Sequence, residues 1–224
     1  AEGEFSVVFE HGGKDVERRA RYCLNALGRE PDLERLNLAA TGVECHEDGR
    51  IRTNEFQQTS NPRVYAAGDC TGPHEIVHVA IQQAELAARH AFGRKASPID
   101  YDLLLQVAFT DPQLATVGLT RPELVRRNVR FLAASYPFDD HGKSILMEAK
   151  LGHVRVYAAP ETGLLLGAEI VGPDAGELIH IFAVALANKL GVQDLLRTPW
   201  YHPTLAEIVT YPLEEIAEQI ANGK

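Results

Sequence analysis

The residues best suited to chemistry stand near the C-terminus, in Trp200-Tyr201-His202-Pro203-Thr204-Leu205-Ala206-Glu207. Histidine has the unperturbed pKa nearest neutrality, so its ring can take up and return a proton at physiological pH, and a neighbouring carboxylate orients it and raises its basicity. His202 and Glu207 are five residues apart, within reach of one another if the chain turns between them. An X-Pro bond can be cis at modest cost, and a cis His202-Pro203 bond would fix the direction of the imidazole. The segment has a second reading. Thr204 and Glu207 show the S/T-x-x-E spacing of a helix capping box, which accounts for both without catalysis. Capping leaves His202 and the stiff Trp-Tyr-His-Pro lead-in unexplained.

A second segment with chemical potential is Thr59-Ser60-Asn61-Pro62-Arg63-Val64-Tyr65-Ala66-Ala67-Gly68-Asp69. Arg63–Ala67 reads as a short buried strand halted by Gly68-Asp69, which would put a carboxylate at the carboxyl end of a sheet, where open α/β folds bind ligands. Glycine lets the backbone approach a ligand closely, and aspartate accepts hydrogen bonds from hydroxyls. Gly-Asp after a strand is also a common turn. The helix expected next strengthens the ligand reading, because its first residues, near His78-Val79-Ala80, offer free N–H groups and a positive dipole end to an anion.

The elements that must position these groups follow from periodicity and punctuation. Residues 5–10 and 18–27 read as strands around the turn His11-Gly12-Gly13-Lys14, and Leu27-Gly28-Arg29-Glu30-Pro31 reads as a linker. From 33 to 60 the signals are short and turn-rich, with Glu47-Asp48-Gly49 the clearest turn. A helix is predicted from about 77 to 92, with Ile81, Ala84, Ala88 and Phe92 as its apolar face and Gly93 at C′. Ala96-Ser97-Pro98 is the best domain boundary. Beyond it the order is strand, helix, three strands, helix, helix. Tyr101–Thr110 is a strand, Thr120-x-x-Glu123 with Pro122 caps a short helix, and 130–137, 153–159 and 163–171 are strands. Asp174 opens a long helix carrying Leu178, Ile181, Phe182 and Leu186 and ended by Gly191; a last helix opens near Pro212 with Leu213, Ile216, Ala217 and Ile220 on one face. This pattern predicts an α+β domain, an antiparallel sheet with helices on one face, preceded by part of an α/β domain.

Composition narrows the function classes. A chain of 224 residues with 45% hydrophobic and 24% charged residues is an ordinary soluble globular protein. Its net charge of −9 argues against nucleic-acid binding, which needs clustered Lys and Arg. No apolar run approaches a membrane span, and the first residues of the sequence show no basic segment followed by an apolar core. Cys23, Cys45 and Cys70 form no close pair, which fits a reducing, cytoplasmic setting better than a disulfide framework. The sequence opens at Ala1 and its single methionine is Met147, so it reads as a piece of a longer polypeptide.

Taken together, these segments resemble the FAD-dependent pyridine nucleotide–disulfide oxidoreductases, the family of dihydrolipoamide dehydrogenase, glutathione reductase and mercuric reductase. Leu27-Gly28-Arg29-Glu30-Pro31 looks like the family's GRxP linker, Thr59 to Asp69 like its second FAD motif, T-x5-(Y/F)-A-x-G-D, and His202-Pro203-Thr204 with Glu207 like its C-terminal HPTxxE signature. The resemblance implies that Asp69, following Gly68, binds a ribityl hydroxyl of FAD and that the backbone at Val79 and Ala80 faces the pyrimidine edge of the flavin. It implies that His202 is the acid/base that deprotonates a small dithiol substrate in the partner subunit's active site, with Glu207 as its orienting carboxylate. Residues 1–32 would be the end of the NAD(P)-binding domain and its linker, 33–97 the second half of the FAD-binding domain, and 98–224 the homodimer interface domain.

The departures are equally specific. No G-x-G-x-x-G occurs, and the C-x4-C redox pair of the family is missing, so the FAD site is incomplete in this sequence and the chain alone is expected to be inactive, a dimerisation module. The chain closes Ile220-Ala221-Asn222-Gly223-Lys224, without the vicinal cysteines of mercuric reductases, and Ile208 follows Glu207 where glutathione reductases carry a second Glu. Both features lean toward a dihydrolipoamide-dehydrogenase-like member. A competing motif, His74-Glu75-Ile76-Val77-His78, fits the H-E-x-x-H of zinc hydrolases, although Gly72-Pro73 would put His74 at the helix end. Among the rest, Cys70 reads as a small buried residue, His180 as an interface or packing residue, His153 as surface and Asp139-Asp140-His141-Gly142-Lys143 as a polar loop; no metal site is expected.

Overall fold

The computed structural model describes residues 3–26 and 28–223, so Ala1, Glu2, Lys224 and Leu27, the first residue of the linker and the last of the second predicted strand, lie outside the described residues. The chain divides into two compact units, Ala1–Ser97 and Pro98–Lys224.

In the first unit, β1 (Phe5–His11) pairs antiparallel with β2 (Lys14–Ala20) around Gly12-Gly13, both at positive φ. The second strand thus begins at once after the turn and lies earlier than 18–27, because the ladder runs in unbroken register from His11↔Lys14 to Phe5↔Ala20. A single turn, α1 (Leu38–Thr41), precedes turn-rich chain, and α2 (Val77–Ala91) closes the unit. Arg63–Ala67 is not a strand. The N–H of Thr59 donates to Val64 and that of Ala66 to Gln57, a tight loop about Asn61-Pro62 too short for a ladder. The inward face of α2 is also turned from the expected one: Val79, Gln83, Leu86 and Ala87 are buried, whereas Ile81 and Phe92 are exposed. Those four positions recur at i, i+4, i+7 and i+8, a helical stripe in which a glutamine stands among apolar residues.

The second unit is a five-stranded antiparallel sheet in the order β3-β4-β7-β6-β5, made of β3 (Leu105–Ala108), β4 (Gln113–Gly118), β5 (Leu132–Pro137), β6 (His153–Ala158) and β7 (Leu165–Gly172). The sequence reading merged β3 with the preceding 3-10 turn, Tyr101–Leu103, and passed over β4, whose alternation is carried by small residues. The registers place Leu105 and Val107, Val117 and Ala115, Ala168 and Ile170, Val156 and Val154, and Ala134 and Tyr136 on one face. Period-two alternation makes that face apolar and leaves Gln106, Thr116, Glu169, Arg155 and Ser135 on the other. Against the apolar face lie α5 (Ala175–Ala187), crossing β4 and β7, and α7 (Thr210–Ala221), crossing β5 and β6. Phe182, Ile179, Leu213 and Ile216 complete the core without exposure. Three short helices join the elements: α3 (Arg121–Arg126), α4 (Gly142–Leu146) and α6 (Val192–Leu196). Gly191 ends no helix; α5 stops at Asn188, and Gly191 is the N-cap of α6, its N–H donating to Asp194.

At α3 the predicted cap is formed, with the Thr120 N–H and hydroxyl both donating to the Glu123 carboxylate at 2.9 and 2.7 Å. These bonds hold the Glu123 carboxyl below its ordinary value. A depressed carboxyl supplies stability above its unfolded pKa and loses it as pH falls through the folded one. Thr120→Ala is therefore expected to lower stability by about 1 kcal/mol at neutral pH. Urea titrations of both proteins should show the gap narrowing in acid, below the ordinary glutamate range.

Candidate functional site

The chain that carries His202 is anchored on both sides. Beyond α6 the Trp200 indole N–H donates to the Leu195 carbonyl at 3.0 Å, and its ring packs on the core. The His202-Pro203 bond is cis, and the Thr204 hydroxyl donates back to the Tyr201 carbonyl at 2.7 Å. A 3-10 turn, Ala206–Val209, then leads into α7, with Ile208 and Val209 fully buried and the Thr210 hydroxyl donating to the Glu207 carbonyl at 2.8 Å. The Glu207 backbone is thus fixed, and its carboxylate faces His202, whose Nδ1 lies 2.9 Å from Oε2 and 3.1 Å from Oε1. Glu207 is 12% exposed and His202 78%, so a sheltered carboxylate meets an open imidazole. The capping box does not form. Leu205, not Thr204, stands before the turn, with helical φ and ψ, so the Thr204 hydroxyl and the Glu207 carboxylate are spent on other partners.

The site contains a residue that the sequence reading left in a polar loop. His141 is wholly buried. Phe138 anchors its turn: the ring lies across Gly172, where a Cβ would come within 2.2 Å of it, so only glycine leaves room. The His141 Nδ1 pairs with the Ser144 hydroxyl at 2.8 Å, and its Nε2 stands 3.5 Å from Glu207 Oε1. Among the described residues the Nε2 has no hydrogen-bonding partner, and such a buried polar atom costs about 1–3 kcal/mol. The Tyr211 ring meets His141 edge-on and stacks on Tyr136 at 4.0 Å, walling the imidazole from water. Burial holds His141 below the ordinary imidazole value, against the pull of Glu207. Burial and the hydrogen bond to Asp140 push the Tyr136 phenol up to about 12. One carboxylate therefore stands between a neutral buried imidazole and an exposed one. Alternating polarity could not reveal this, because no local pattern separates a histidine in a loop from one folded beneath a helix.

In the first unit, Gly68 is buried at φ +82 and sits against α2, where a Cβ would come within 3.2 Å of the Ala80 Cβ. Its N–H donates to the buried Gln83 side chain at 2.7 Å, which explains the glutamine on the inward face. Asp69 is exposed and accepts a hydrogen bond from the linker residue Arg29 at 3.2 Å. The Ala80 N–H bonds to the Ile76 carbonyl inside the helix, so the donors left over at the N-terminus of α2 belong to Val77, His78 and Val79. Gly68-Asp69 and Val79-Ala80 are thereby brought together, as are His202 and Glu207, each pair within its own unit.

The zinc motif is not assembled. α2 starts at Val77, so His74 and His78 do not share a helix, and Glu75 is bound to Arg50 at 2.5 Å. Among the described residues no group of three or more His, Cys, Asp or Glu is placed to hold a metal ion. Cys70 is half-buried, with its thiol raised by that burial; His180, exposed on α5, pairs with the Gly176 carbonyl. His153 is half-buried rather than on the open surface, and burial lowers its pKa. No helix among the described residues is long and apolar enough to cross a membrane.

Residues 104–212 match the dimerisation domain of the pyridine nucleotide-disulphide oxidoreductases, and residues 2–84 match the pyridine nucleotide-disulphide oxidoreductase model. The chain belongs to the pyridine nucleotide-disulphide oxidoreductase family. It is 34% identical to a dihydrolipoyl dehydrogenase of Halobacterium salinarum, over 92% of this chain and 43% of the relative. It is 35% identical to a mercuric reductase of Acidithiobacillus ferrooxidans, over 92% of this chain and 37% of the relative. The chain thus spans about two fifths of the length of the curated relatives it matches. LpdA from Mycobacterium tuberculosis superposes with a TM-score of 0.82 at 28% identity, over 91% of this chain and 44% of LpdA. The fold alone is shared with the HOCl-induced flavoprotein disulfide reductase RclA from Escherichia coli, with a TM-score of 0.81 at 19% identity over 95% of this chain and 49% of RclA.

The depressed pKa of His141 has a consequence for stability. Below the unfolded value the unfolded chain binds a proton that the folded chain refuses, so stability falls with pH. The wild-type chain is expected to lose stability from about pH 6.5 downward. His141→Gln, which cannot titrate, should lose less over that window; identical urea midpoints against pH for the two proteins would contradict the assignment.

Proposed function

We propose that this chain supplies the dimerisation half of a flavin-dependent disulfide oxidoreductase of dihydrolipoyl dehydrogenase type, in which His202 is the acid/base toward a small dithiol. The observation that carries this reading is the His202–Glu207 pair, an exposed imidazole whose Nδ1 faces a sheltered carboxylate at 2.9 Å. With the Nδ1 proton directed at Glu207, the Nε2 lone pair is free to accept a thiol proton. The carboxylate then stabilises the imidazolium, and the thiolate left behind is the nucleophile that exchanges with a disulfide. On this reading His202 and Glu207 are the catalytic pair, and residues 98–224 form a homodimer that carries the base to the partner subunit.

The first unit fits one side of a flavin site. Gly68 permits close backbone approach, Asp69 presents an exposed carboxylate to a ribityl hydroxyl, and the N-terminus of α2 at Val77–Val79 favours negative charge beside it. Ala80 acts there through its methyl group against Gly68 rather than through its N–H. Bound FAD would pass electrons between NAD(P)H and the disulfide. We assign residues 33–97 to the FAD-binding domain and residues 1–32 to the end of the NAD(P)-binding domain and its linker. These 224 residues contain neither a G-x-G-x-x-G nor a C-x4-C, so turnover needs a segment that carries both.

The test mixes this chain with such a segment and follows dithiol-dependent NAD(P)⁺ reduction. Activity is expected only in the mixture. His202→Gln should lower it about 10²–10⁴-fold while leaving flavin reduction by NAD(P)H unchanged. Full activity in His202→Gln would remove the base assignment. A second reading, a dimerisation module without turnover, is supported by the match of residues 104–212 to the dimerisation domain. Sedimentation separates the outcomes: a dimer that stays inactive in the mixture favours that module, and a monomer contradicts both.

A further inference from the structure

We infer that His141 is a positioning residue, a buried imidazole that holds the Glu207 carboxylate in line with His202; this rests on the reading of His202 as a base oriented by Glu207. Three observations carry it. The His141 ring is wholly enclosed, and its Nε2, without a hydrogen-bonding partner among the described residues, faces Glu207 Oε1 at 3.5 Å. Its other nitrogen is occupied by the Ser144 hydroxyl at 2.8 Å, and Ser144 is itself buried. The turn that delivers it is fixed by Phe138 packed over Gly172.

These contacts select a tautomer. Glu207 can only accept when ionised, so a neutral His141 that serves it carries its proton on Nε2. Ser144 then donates its hydroxyl proton to Nδ1. A small rotation of the Glu207 carboxylate closes 3.5 Å to a hydrogen bond, gives the orphan nitrogen its partner and leaves Oε2 on His202 Nδ1. Around the imidazole, enclosure favours the neutral ring and the negative charge of Glu207 opposes it. Tyr211 on α7 presents a ring edge, Tyr136 on β5 is bound to Asp140, and Glu207 supplies the negative charge. Two imidazoles on one carboxylate compete for a proton, and enclosure decides the contest. The buried one stays neutral and orients the carboxylate toward the open one.

The experiment is two-bond ¹⁵N–¹H correlation spectroscopy of the histidine-labelled 224-residue chain, with His202→Gln and His141→Gln assigning the rings. His141 is expected as the Nε2–H tautomer and His202 as the Nδ1–H tautomer near neutral pH. In His141→Leu, with the amide spectrum otherwise that of the folded chain, the His202 Nδ1–H form should fall from major to minor. His141→Gln, which keeps an N–H donor near the Nε2 position, should restore it. Ser144→Ala leaves His141 in place and should let its own tautomers mix, an independent check should the leucine variant not fold. If His141 is the Nδ1–H tautomer, or if His202 is unchanged in His141→Leu, the positioning role is overturned while the base assignment stands. If instead His141 behaves as expected but His202 carries its proton on Nε2 in the wild-type chain, the base reading of His202 fails and the contact between His141 and Glu207 remains.

Discussion

The carboxylate of Glu207 is the point on which the second unit turns. A carboxylate only 12% exposed must find donors, since a buried charge without partners is far costlier than any single contact is favourable. The His202 imidazole bonds it, the His141 imidazole stands 3.5 Å away, and the larger architecture serves to bring both there. α7 packs on β5 and β6 and fixes the backbone of Glu207 at its own first turn. The Phe138 turn, seated on Gly172 of β7, lowers His141 from one side. Trp200, tied to the end of α6, brings in His202 from the other. The sheet fixes the origins of these loops, and Tyr136 of β5 backs the Tyr211 ring that meets His141.

The sheet can do this because its two faces are chemically unlike. One apolar face, filled by α5 and α7, gives a core in which Phe182, Ile179, Leu213 and Ile216 are wholly buried. On the opposite face the same alternation puts Arg155, Glu169 and Tyr157 together, and burial with the hydrogen bond to Glu169 pushes the Tyr157 phenol up to about 12. The first unit has fewer buried residues and works by hydrogen bonds. Gln83, inside the helix stripe, is spent on the Gly68 N–H, and the Thr71 hydroxyl on the Gly68 carbonyl. A glycine at positive φ between two such bonds holds the turn that presents Asp69.

What could be read from the sequence follows the range of the interactions. Elements dictated by strong local periodicity, α2, α5, α7 and strands β5 to β7, stand where alternation and helical spacing put them. The His202–Glu207 contact was legible because both partners lie within one turn of chain. β4 escaped because Ala115, Thr116 and Gly118 carry too little apolar contrast, and α6 because a five-residue helix has almost no period to show. The inward face of α2 was misjudged for a physical reason. An amide is a poor guess for a core position until the backbone N–H it must satisfy is known. The capping box fails because other local partners take its groups: the Thr204 hydroxyl bonds the Tyr201 carbonyl and the Glu207 carboxylate meets His202. His141 depends on Gly172 thirty-one positions away, and no window of sequence contains that dependence.

The exposure of His202 bears on how the pair can work. An imidazole 78% open to water stands largely in solvent, where electrostatic effects are weakest. The influence of Glu207 therefore reaches the ring through the sheltered side, by one directed bond at Nδ1, rather than by a dry pocket about the reacting nitrogen. A directed bond is only as good as the fixity of its acceptor. A glutamate has three side-chain torsions and, held by an exposed histidine alone, would be free to swing. His141, standing 3.5 Å from the carboxylate on its sheltered side, limits that freedom before any substrate arrives. On the proposed reading, the unit thus supplies the orientation of the base from within and leaves desolvation of the reacting nitrogen to whatever surface closes over His202.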